Sequence, residues 1–156
     1  MTRTAAREIA IQLGFSAVGG DYEPEQAVEE FFEPEHYASL AAESELYRSE
    51  PGEQLAFIRQ SVCGVVERRP ELDGYIAQYA KGWRTERIDK AAAAILRQAM
   101  YEILYMPDVP TASSIDEAVE LAKGYEDAEV VAFINGVLGS FVRDGREEQP
   151  AEAGDE

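Results

Sequence analysis

Across 156 residues the chain carries 31 acidic and 14 basic side chains, a formal net charge of −17, with 46% hydrophobic residues and one cysteine. This length fits one domain able to bury a core without staples, and the lone Cys63 excludes an intrachain disulfide. No segment approaches the roughly 20 apolar residues of a membrane span, and the start MTRTAAREIA lacks a signal-peptide core, so a cytoplasmic location is expected.

Residues 2–17 read as an amphipathic helix, because Ala6, Ile9, Ala10, Leu13 and Ala17 recur at helical spacing. Gly19-Gly20 ends it. A short helix over 23–33 follows, opened by Pro24 and carrying Ala27, Val28, Phe31 and Phe32, and Pro34 separates it from another over 35–47. Pro51-Gly52 marks a turn. Residues 53–68 form a longer helix with Leu55, Ile58, Val62, Val65 and Val66 inward, and residues 71–81 resume after Pro70 with Leu72, Tyr75, Ile76 and Tyr79.

The strongest helical signal covers 89–105, through four alanines and then Ile95, Leu96, Ala99, Met100, Ile103 and Leu104. Pro107 and Pro110 close it. Ser113 or Ser114 is placed to cap the next helix, with Glu117 completing a capping box, and Gly124 stops it. The last helix spans 127–142, capped by Asp127. The domain is expected to cover 1–144, followed by a disordered acidic tail over 145–156.

The charge is regional. Eleven acids and one base, Arg48, lie between Asp21 and Glu53, and five acids follow Arg146. The remainder holds 15 acids against 13 bases. A surface for a polyanion can therefore survive there, although the global field slows its approach.

Catalytic patterns are lacking. The single histidine, His36, sits in the acidic region and reads as a surface side chain. Cys63 lies among Val62, Val65 and Val66 and reads as a buried structural thiol. No metal-ligand spacing and no glycine-rich phosphate loop occurs. No enzyme activity, metal or cofactor is expected.

The first helix carries more information. On a helical wheel its core stripe leaves Phe15 almost opposite, with Ile11 one turn before it. Arg3 and Arg7 line one flank, and Glu8 and Gln12 the other. Two readings stand: Ile11 and Phe15 pack against another helix, or they dock a partner while the arginines meet phosphate. In the last helix Val130, Ile134, Val137, Leu138 and Phe141 share a face, with Phe133 at its edge, where it packs at the rim or stacks a splayed base. Asn135-Gly136 reads as a satisfied buried amide at a close helix crossing.

These residues resemble the NusB family of bacterial transcription antitermination factors. The first helix has Ala6-Arg7-Glu8, Ala10, Gln12 and Phe15. Farther on come Trp83, Ile95-Leu96-Arg97, Tyr101-Glu102 and Asp108-Val109-Pro110, then the run from Ile115 to Lys123, and finally Phe133-Ile134-Asn135-Gly136-Val137-Leu138. The match covers residues 3–18 and 83–142 in order and spacing.

The resemblance implies an all-α fold of about seven helices in two packed helical bundles. It implies binding to boxA-type single-stranded RNA of ribosomal-RNA leader transcripts, together with NusE, a ribosomal small-subunit protein, in the transcription elongation complex. The family's RNA-facing positions fall on Arg3, Arg7, Gln12, Glu129 and Phe133, and its partner-facing positions on Phe15 and Glu86, with Ile11 beside Phe15. Thr4 and Ala5 stand where relatives often carry further arginines. Ala92 replaces a frequent acid, and Asp116 a usual asparagine. A homodimer through the first helix is possible within the family. The alternatives are an interaction module or dimer with weakened RNA binding, and the RNA-binding accessory domain of an rRNA cytosine methyltransferase, whose catalytic domain these 156 residues do not contain.

Overall fold

The computed structural model describes residues 1–18, 23–80, 82 and 88–148. Eight α-helices and one 3-10 turn occur among them, and no strand. The chain divides into two compact units, residues 1–69 and 70–156.

In the first unit, helix α1 (Arg3–Val18) packs along α4 (Gln54–Glu67), and α2 (Pro24–Phe31) closes over both. The amphipathic pattern accounts for this arrangement. Ala6, Ile9, Ala10 and Leu13 of α1 are buried with Val28 of α2 and Phe57, Ile58, Val62 and Val65 of α4. The Thr2 hydroxyl accepts from the Ala5 amide at 3.1 Å, satisfying one of the orphan donors at the start of α1.

The helix expected over 35–47 is interrupted. Helix α3 (Pro34–Leu40) begins where the Glu33 carboxylate accepts from the amides of Glu35 and His36, and it gives way to a turn after Leu40. Ser44 then caps a separate 3-10 turn, Glu45–Tyr47, by accepting from the Leu46 amide at 3.1 Å. A serine bonding to nearby backbone competes with the continuing helix, and here the local bond wins. The Pro51-Gly52 turn forms as expected, with Gly52 at φ 56°, a conformation that favours glycine. Cys63 is half-buried, not fully buried as expected.

The second unit holds α5 (Arg69–Tyr79), α6 (Lys90–Tyr105), α7 (Thr111–Lys123) and α8 (Ala128–Glu148). Helix α7 packs on α6 and α8, which also touch each other. Ile95, Leu96, Ala99 and Met100 of α6 meet Ala118 and Ala122 of α7 and Ile134, Val137, Leu138 and Phe141 of α8 in the core. Tyr75 and Tyr79 of α5 set their rings against Phe141, and the Arg97 guanidinium of α6 holds Asp73 of α5 at 2.7 Å. Asp89 caps α6 through the Ala92 amide at 2.8 Å, and Asp127 caps α8 through the Val130 amide at 3.0 Å, the latter as the sequence indicates.

Three local expectations fail in this unit. The capping box at Ser113 or Ser114 is not used, since α7 starts earlier, directly after Pro110. Proline presets the dihedral angle needed at a helix entry. Ser114 is buried instead, and its hydroxyl donates to Glu102 at 3.0 Å. The Gln98 amide donates to the same carboxylate, also at 3.0 Å, so a fully buried acid takes the serine that the capping box would have used. Asn135 and Gly136 are exposed, and a Cβ on Gly136 would meet nothing within 4 Å. Among the described residues no helix crosses closely at that point. The last helix continues to Glu148, beyond the expected end at 142.

Candidate nucleic-acid and partner interface

The outward face of α1 follows from its inward one. With Ala6, Ile9, Ala10 and Leu13 committed to α4 and α2, Phe15 is left 47% exposed and Ile11 half-buried. Among the described residues no helix covers Phe15 fully, which leaves much of its ring open. An exposed aromatic on a short helical face is the kind of side chain that anchors protein interfaces.

Arg3 is exposed, yet its position is fixed. Its guanidinium stacks 4.1 Å above the Phe57 ring, and its Nε donates to Gln54 Oε1 at 2.6 Å. The N-terminal ammonium donates to the Glu50 carbonyl at 3.3 Å, which brings a second positive charge to this end of α1. Arg7 differs from its expected flank position. It is only 4% exposed, with its guanidinium 5.5 Å from the same Phe57 ring. The aromatic ring draws both cations inward through its negative face. Gln12 is half-buried, and its Oε1 accepts from the Tyr47 hydroxyl at 2.7 Å, tying α1 to the 3-10 turn. Burial also raises the Glu8 carboxyl above its ordinary range.

The remaining candidates lie in the second unit. Glu129 is exposed in the first turn of α8. Phe133, one turn later, is 7% exposed and belongs to the buried face, not its edge. Glu86 lies outside the described residues, as does Trp83. The structure thus groups Arg3, Arg7 and Gln12 with Ile11 and Phe15 on α1, and Glu129 with Phe133 on α8.

Sequence reasoning missed Tyr125, 53% exposed in the connection between α7 and α8. Its signal was its place directly after Gly124, outside both core stripes. Beside it, the Glu126 carboxyl is pushed up to about 7, first by burial, then by the hydrogen bond and charge of Asp89, then by Asp127. A groove of about 510 Å³ runs along α7 and α8 here, lined by Val119, Lys123, Glu126, Val131 and Asn135 among others. Among the described residues no group of three or more His, Cys, Asp or Glu could hold a metal ion, and no helix is long and apolar enough to cross a membrane.

These helices define an all-helical class of fold shared with the solved structure of T. maritima NusB. That structure superposes with a TM-score of 0.71 at 26% identity, covering 92% of each chain. The NusB family model matches residues 4–143, and the chain belongs to the NusB family. Among its relatives, the transcription antitermination protein NusB of Symbiobacterium thermophilum is 41% identical over 92% of this chain and 90% of its own. That of Carboxydothermus hydrogenoformans is 42% identical over 89% and 91% respectively.

Proposed function

We propose that this chain is a transcription antitermination factor that binds boxA-type RNA of ribosomal-RNA leader transcripts jointly with NusE. The observation that carries the reading is the outward face of α1, where Phe15 stands exposed while Arg3 is held in place by Phe57 and Gln54. Relatives that match along most of the chain bear the name transcription antitermination protein.

The proposal divides the work. Phe15 and Ile11 meet NusE, with Glu86 as a further contact. Arg3, Gln12 and Glu129 meet RNA. Arg7 contributes from beneath, by sharing the Phe57 ring with Arg3. Phe133 stacks a base only if its ring turns outward from the position it occupies in the unbound chain.

With Arg7 buried, α1 offers only the Arg3 guanidinium, and on a chain of −17 this gives weak RNA binding alone. Two modest interfaces shared in one complex act as a strong one. NusE is therefore required for tight binding, and the factor serves transcription as part of a complex.

A fluorescence titration with boxA-like RNA, with and without NusE, tests this. Absence of binding at low salt even with NusE present overturns the RNA half. NusE binding without RNA binding leaves the alternative of an interaction module with the same fold. Arg3→Gln is expected to weaken RNA binding and to flatten its salt dependence by roughly one counterion, while NusE binding stays intact. Light scattering distinguishes a monomer from a dimer formed through α1.

A further inference from the structure

The acidic middle of the chain has no role in the function proposed above, yet it surrounds a formed pocket. A cavity of about 480 Å³ opens in the first unit, with Phe32, Tyr37, Tyr47, Arg48, Glu50 and Leu55 among its walls. The rings are set at angles to one another. Phe32 and Tyr37 have centroids 5.0 Å apart at 48°, and Tyr37 and Tyr47 are 6.5 Å apart at 78°. Both tyrosines are anchored from behind. The Tyr37 hydroxyl donates to the Ser49 carbonyl at 2.7 Å, and the Tyr47 hydroxyl to Gln12 at 2.7 Å. The ring faces are thus fixed before anything binds, which lowers the ordering cost of binding.

We propose that this pocket receives an arginine or lysine side chain presented by a basic segment of a protein partner. Angled aromatic faces attract a cation through their quadrupoles. Glu50 in the wall supplies a full negative charge, and Glu33, Glu35, Glu43 and Glu53 nearby in the sequence are exposed. Positions 21–53 hold eleven acids and one base. That base, Arg48, is already engaged, with its Nε donating to the Ala41 carbonyl at 3.1 Å and its guanidinium 3.6 Å from Glu45. A polyanion is repelled from such a rim, and a neutral apolar occupant gains nothing from the Glu50 charge. The pocket adjoins the RNA contact assigned to Gln12 through the Tyr47 hydroxyl, whereas Phe15 and Ile11, assigned to NusE, are not among its walls.

The test uses the full chain and three capped peptides, hexa-arginine, hexa-lysine and hexa-citrulline, titrated at about 150 mM salt, where long-range attraction is screened. Calorimetry gives affinity, and ring-proton NMR shifts of Tyr37 and Tyr47 report the place of binding. Both cationic peptides are expected to bind and move these signals, and the neutral citrulline peptide to do neither. Glu50→Gln should weaken binding about fivefold or more, in line with a cation held by rings and one charge. Glu29→Gln, in the same acidic region but outside the pocket walls, should change it less than twofold. Ala38→Phe fills the cavity without altering charge and should abolish the ring shifts.

Equal losses in Glu50→Gln and Glu29→Gln, or unchanged affinity in Ala38→Phe, would mean diffuse electrostatic attraction and overturn the proposal. Equal binding of the citrulline peptide also overturns it. So does a concentration-dependent dimer that Ala38→Phe disperses, because the pocket is then covered by a second copy. Unchanged boxA-like RNA and NusE titrations for Ala38→Phe would confirm that the two readings stand or fall separately.

Discussion

Phe15→Ala separates binding from folding, because the structure leaves about half of this side chain uncovered. A phenylalanine side chain offers roughly 200 Å², so an exposure of 47% leaves roughly 90 Å² for a partner to cover. At about 25 cal/mol per Å² this is about 2 kcal/mol, or roughly a 30-fold loss of affinity for NusE. The roughly 110 Å² already buried adds a stability cost of about 2 kcal/mol by the same coefficient, once the better helix propensity of alanine is set against it. Calorimetry against NusE and urea denaturation of the free chain measure the two quantities independently. An affinity change below about threefold in a folded variant removes Phe15 from the interface. A loss of stability above about 3 kcal/mol, the range of core phenylalanines, refutes the exposed placement itself.

Glu126 predicts a pH effect. Its carboxyl is raised to about 7 in the folded chain from an ordinary value of 4.5, so the folded state retains a proton that the unfolded state has released. The associated stability is full below pH 4.5 and is lost as pH rises through 7. Relative to Glu126→Gln, the native chain should lose about 1 kcal/mol between pH 5 and pH 8, a modest value because solvent screens this half-buried group. Parallel stability profiles for the two proteins would count against the shift. Ser114→Ala removes one donor from the fully buried Glu102 and should cost about 1–3 kcal/mol in urea denaturation, whereas a change within about 0.5 kcal/mol would show the bond to be dispensable. The Cys63 thiol is pushed up by burial first, then by Glu25 and Glu67, with Arg59 opposing. It should therefore react with a disulfide reagent at neutral pH much more slowly than in urea, and equal rates would refute the shielded environment.

Much of the fold was legible because it is local. Helical spacing identified α1, α6 and α8, and also the buried stripe of Ala6, Ile9, Ala10 and Leu13. The outward direction of Phe15 followed from that stripe by geometry alone. Asp127 could be read as a cap because the bond it makes reaches only three residues along the chain. The ordered motifs pointed to the family for a related reason, since they lie in the helices that build the fold.

The tertiary structure decided what depends on partners distant in sequence. Arg7 is buried because Phe57, on another helix, offers one ring to two guanidiniums. Ser114 leaves its capping role because its hydroxyl donates to the buried Glu102, on a neighbouring helix. Phe133 sits inside and Asn135 outside because the second core selects which side of α8 it covers, and a wheel resolves an edge position poorly. The aromatic pocket joins residues from 32 to 55 through turns whose directions periodicity does not encode. By itself the sequence determined that this is an all-helical NusB-family chain with an outward-facing Phe15. Packing decided which of its charged and aromatic side chains remain available to a ligand, because burial depends on what arrives from elsewhere in the chain.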